Sequence, residues 1–71
     1  MTQNQLARIG KDLAGMAGEP CNVEDVGGAV YLFGSELATL RCLLQYRDCK
    51  NARVGYSHAM KSYYFCLEIK S

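Results

Sequence analysis

Tyr63-Tyr64-Phe65-Cys66-Leu67-Glu68-Ile69-Lys70 decides the fold of this chain. Residues 63, 65, 67 and 69 are aromatic or aliphatic, and they alternate with Tyr64, Cys66, Glu68 and Lys70. A two-residue period of this kind belongs to a strand with one face against a core. The more apolar side is expected to face that core, which leaves Tyr64, Cys66, Glu68 and Lys70 on the outer face.

The neighbouring segments give this strand its partners. Ser57 to Ser62 is polar and reads as a loop, and Ala52 to Ser57 reads as the preceding strand, with Val54 and Tyr56 on one face. From Glu36 to about Cys49 the period turns helical. Leu37, Leu40 and Leu44 form an apolar stripe widened by Ala38, Leu43 and Cys42, the side of a helix expected to meet a core. Ser35 is the predicted N-cap, Glu36 suits the positive pole, and Arg47 and Lys50 suit the carbonyl pole. Asn51 ends the pattern.

The N-terminal half repeats this order. Thr2 and Gln5 have the spacing of a capping box. Leu6, Ile9, Leu13 and Met16 then mark one helix face, which Gly18 and Pro20 close. Gly10 and Gly15 each cost such a helix about 1 kcal/mol relative to alanine, so packing must hold it. Cys21, Val23 and Asp25 alternate as a short strand, Val26-Gly27-Gly28 supplies a turn, and Ala29 to Phe33 returns as a second strand. On that strand Val30 and Leu32 oppose Tyr31 and Phe33, so its inner face is undecided.

The expected architecture is a single α+β domain over residues 1–71 in the order helix, hairpin, helix, hairpin (αββαββ). A four-stranded antiparallel sheet would carry both helices on one face. A chain of 71 residues buries about 60% of its unfolded surface, enough for one thin core. A sheet apolar on both sides in so short a chain points to a partner over the second side, and a homodimer is the simplest supply.

Composition narrows the setting. With 49% hydrophobic and 21% charged residues the chain falls in the globular range. No run reaches the ~18–20 apolar residues of a membrane span. Met1 to Gln5 lacks the basic and apolar parts of a signal peptide. The four cysteines are irregularly spaced, and three lie in apolar runs, as reduced thiols in a cytoplasmic protein would. Residues 1–35 carry two Lys or Arg against four acids, and residues 36–71 six against three. Neither half is charged enough to name a partner.

Reactive constellations are thin. Cys42, Cys49, His58 and Cys66 have zinc-ligand chemistry but no C-x2-C pair. Cys42 and Cys49 would also stand about 10.5 Å apart along a continuous helix. His58 beside Ser57 in a polar loop does not make a nucleophile–base pair. Glu24-Asp25 before two glycines is turn chemistry, and Gly27-Gly28 lacks the spacing of a phosphate loop. No catalytic residue, metal or cofactor is expected, and the chain does not read as an enzyme.

Binding has more support. Tyrosine and arginine are enriched at interface hot spots. Arg47, Arg53, Tyr56, Tyr63 and Tyr64 are the expected contact residues of a protein-interaction module that binds itself or another protein. Tyr31 and Tyr46 complete a set of five tyrosines that so small a chain cannot bury entirely. The alternative is a nucleic-acid-binding domain in which Arg47, Lys50, Arg53 and Lys61 meet phosphates and the interleaved tyrosines stack on bases. A pI near 7.6 and the lack of an RNA- or DNA-binding motif weigh against it. Short length, bacterial-type composition and the missing catalytic apparatus suit an accessory protein of a prophage, plasmid or similar mobile element.

Overall fold

The segment from Tyr63 to Glu68 lies in the middle of the sheet. The computed structural model describes residues 3–68. In chain order the elements are α1 (Gln3–Ala17), β1 (Asn22–Val26), β2 (Ala29–Gly34), α2 (Glu36–Gln45), β3 (Ala52–Ser57) and β4 (Ser62–Glu68). The sheet order is β1-β2-β4-β3, with every neighbouring pair antiparallel. The expected α+β architecture is therefore the observed one. Thr2, Ile69 and Lys70, named above in a cap and a strand end, lie outside the described residues.

Register places one apolar row across all four strands. Val23 opposes Leu32, Leu32 opposes Phe65, and Phe65 opposes Val54. Both helices pack on this side, where Leu13 and Ala17 of α1 and Ala38 and Cys42 of α2 meet Val30, Leu32, Phe65 and Leu67. That resolves β2: Val30 and Leu32 point inward and are fully buried, while Tyr31 and Phe33 point outward.

Local chemistry explains the first hairpin and α1. Gly27 and Gly28 have φ of 59° and 80°, the two positive angles that a two-residue turn needs to match strand twist. Leu6, Ile9 and Met16 pack around buried Leu13 as the spacing predicts. Gly10 lets α1 approach β1, because a Cβ there would stand 2.9 Å from Val23 Cγ1. At the end of α1, Gly18 takes a φ of 72° and the Arg41 guanidinium donates to the Ala17 carbonyl at 3.1 Å.

The second helix departs from expectation twice. It ends at Gln45, four residues before Cys49. Tyr46 turns inward, its ring centroid 5.9 Å from that of Phe65, and its N–H donates to the carbonyls of Cys42 and Leu43. Arg47 and Lys50 therefore follow the helix instead of capping it, and an axial separation between Cys42 and Cys49 does not apply. Both cysteines are free.

The helix is also rotated from the expected stripe: its flank of Ala38, Cys42 and Leu43 packs on the core, but its three central leucines do not. The residues buried against the sheet are Ala38, Thr39 and Cys42, whereas Leu37, Leu40 and Leu44 face outward. At about 100° per residue the two sets lie roughly half a turn apart. Compact side chains allow close approach to β2 and β4. Among the described residues the one buried polar side chain is satisfied, since the Thr39 hydroxyl donates to the Glu36 carbonyl at 2.7 Å. Among the described residues, no helix is long and apolar enough to cross a membrane.

Candidate functional site

Among the described residues, two surfaces group apolar side chains that the fold leaves at least partly open. The first is the outer face of the sheet. Tyr31, Phe33 and Tyr64 form a three-ring cluster there, with centroids 6.0 Å, 6.0 Å and 6.4 Å apart. Gly55 is the bare floor under one ring: a Cβ at that position would lie 2.6 Å from the Tyr64 hydroxyl. Cys66 is fully buried although it points to this face, because it sits between Tyr31 on β2 and Arg53 on β3.

Charge frames the rings. The Arg53 guanidinium meets the Glu68 carboxylate at 3.3 Å, with both side chains open to solvent. Its pKa is raised, first by the neighbouring Cys66 and then by Glu68. The Tyr31 hydroxyl is also held above its usual range, chiefly through the Cys66 thiol beside it. Glu24 lies at the opposite edge of the same cross-strand row, facing Tyr31 in register.

The second surface is the outward side of α2. Leu37, Leu40 and Leu44 are 58%, 44% and 63% exposed. Leu40, Leu43, Leu44 and Arg47 line a shallow, almost entirely apolar groove of about 330 Å³. A further groove of about 420 Å³ runs between α1 and β1, lined by residues that include Gly10, Lys11, Cys21, Val23 and Asp25. Its Cys21 thiol is pushed up by burial and then by Glu19.

The contact residues expected from sequence are not all brought together. Tyr64 and Arg53 lie on the outer sheet face. Tyr63 and Tyr56 lie on the helix side, at the turn end of the β3–β4 hairpin, where they oppose each other in register. Their rings meet edge-on at 5.1 Å, and His58 adds a third ring 5.2 Å from Tyr56. The reason is the strand period itself: consecutive tyrosines must point to opposite faces. Arg47 belongs to the turn after α2, beside the leucine groove.

The basic set disperses too. Lys50 precedes β3 and Lys61 follows it in the hairpin turn, so the length of that strand, about 20 Å, lies between them. Of Arg47, Lys50, Arg53 and Lys61, Arg53 is the one on the aromatic face. The facing of Tyr31 and Phe33 does not follow from sequence, because Val30 and Leu32 beside them are equally apolar. The outward leucines were expected in the core. Among the described residues, no three His, Cys, Asp or Glu side chains group closely enough to hold a metal ion. No family model, curated protein or solved structure matches this chain.

Proposed function

We propose that this chain is a small non-enzymatic protein-interaction module that works through its uncovered apolar surfaces. The outward turn of α2 carries the reading. Three leucines that could have entered a core are held in water, each about half exposed. Full burial of a leucine is worth roughly 1.5–3 kcal/mol, so a partner over this face recovers about half of that three times. Arginine at the border, here Arg47, is a residue type favoured at such contacts. A reducing, cytoplasmic setting fits the four free thiols.

The test compares the wild-type chain with a Leu40→Lys/Leu44→Lys variant. Both positions are open to solvent, so circular dichroism should be unchanged. Complexes captured by crosslinking in cells should disappear in the variant. If wild type and variant give the same complexes, or both give none, the leucine face is not the binding surface.

A second reading has one observation in its favour. Three rings on adjacent strands of an open sheet form a platform on which the bases of single-stranded nucleic acid could stack. Fluorescence anisotropy with a labelled single-stranded oligonucleotide at low ionic strength tests it. Affinity that falls steeply with salt and is lost in Tyr64→Ala supports stacking. No binding at low ionic strength ends it.

A further inference from the structure

We propose that two copies of this chain pair through their outer sheet faces, about a two-fold axis parallel to the central strands. The pairing rests on reading the open sheet face as an interaction surface. It is separate from the leucine face of α2.

Cross-strand register carries the argument. Glu24, Tyr31, Cys66 and Arg53 form a single row across β1, β2, β4 and β3, acid at one edge and base at the other. A two-fold axis along the strands reverses such a row. It sets Glu24 against the partner's Arg53 at one edge, and Arg53 against the partner's Glu24 at the other. Tyr31 then lies opposite the partner's Cys66, a thiol already buried within its own chain. In the next row, Asn22, Phe33, Tyr64 and Gly55, the same axis sets Phe33 against the partner's Tyr64.

Ala29 opposes Glu68 in the third row, so each Glu68 lies over the partner's small and already buried Ala29 and keeps its own Arg53. The rival axis, perpendicular to the strands through the charged row, would place Glu24 on Glu24 and Arg53 on Arg53. Like charges in contact disfavour it. The chosen axis also keeps the strands of the two sheets nearly aligned, the usual arrangement for stacked sheets about 10 Å apart.

Size sets the strength. The face is about 19 Å wide and about 20 Å long, and side-chain relief brings the burial for two copies to on the order of 1,000 Å². That lies at the lower end for a specific interface, so the dimer should dissociate in the micromolar range.

Sedimentation equilibrium on the full chain tests the pairing. Wild type should show a monomer–dimer equilibrium. Glu24→Arg alone and Arg53→Glu alone should each weaken it at least tenfold, and both positions are exposed, so the fold should persist. An equal mixture of the two variants should dimerise again, because each then meets its complement at both edges. A wild type that stays monomeric at several hundred micromolar overturns the dimer. So does a dimer that ignores both charge reversals, or one abolished by Leu40→Lys/Leu44→Lys. A monomer that still forms leucine-dependent complexes with other proteins rejects the dimer alone and leaves the interaction module standing.

Discussion

Cys42 shows how a buried thiol links this fold to pH. Its side chain is fully buried, and its S–H donates to the Leu13 carbonyl at 3.6 Å. Burial, with a smaller contribution from Cys21, pushes its pKa from 9.0 up to about 11. In the unfolded chain the thiol ionises near 9, while in the folded chain it keeps its proton. Its contribution is therefore complete below about pH 9 and is lost as pH rises through 9 to 11. Tyr46, raised first by burial, acts in the same direction. Urea unfolding at pH 8 and pH 10.5 should show a smaller loss of stability in Cys42→Ala than in wild type. Equal losses would mean that the buried thiol is not responsible. Alkylation should distinguish the thiols as well: exposed Cys49 should react first, and buried Cys42 and Cys66 only on unfolding.

Two glycines of α1 make a matched pair at the scale of the element. At Gly15 an added Cβ meets nothing within 4 Å, whereas at Gly10 it meets Val23. Gly15→Ala should stabilise the protein by about 1 kcal/mol through helix propensity alone. Gly10→Ala gains the same propensity but overpacks the contact with β1, at about 1–3 kcal/mol, so its midpoint in urea should not rise. At the start of α2, the Ser35 hydroxyl accepts from the Ala38 N–H at 3.2 Å and donates to the Glu19 carboxylate. Ser35→Ala should cost about 1 kcal/mol. This cap was legible in the sequence, as were the Gly27-Gly28 turn and the stripe of α1, because each is fixed by nearby residues. The orientation of α2 was not. Periodicity finds a leucine stripe without saying what stands opposite, and the spacing between α2 and the sheet buries the compact flank of that stripe, Ala38 and Cys42, together with Thr39, and leaves the leucines outside. The same limit hides half of the site. Alternation puts Tyr64 and Cys66 on the outer face of β4, as observed. On β2, however, Val30 and Leu32 are as apolar as Tyr31 and Phe33, so which pair faces outward depends on where the helices pack.

Across the whole molecule, the small core and the open surfaces have one cause. Two helices cover one side of a four-stranded sheet, and α2 spends its compact side on that contact. Rings are left on the far side of the sheet and leucines on the far side of the helix, so the protein presents apolar surfaces in opposite directions. A sheet-to-sheet dimer would still display both leucine faces outward, giving two copies of the proposed contact surface. All of this depends on α2 being docked with its leucines in water. The urea unfolding free energy of a Leu37→Ser/Leu40→Ser/Leu44→Ser variant tests that orientation most directly. Surface substitutions stay within about 0.5 kcal/mol each, so the variant should fold and lie within about 1.5 kcal/mol of wild type. Leucines packed in a core would cost about 2–5 kcal/mol each on truncation, and a variant that fails to fold would contradict the account.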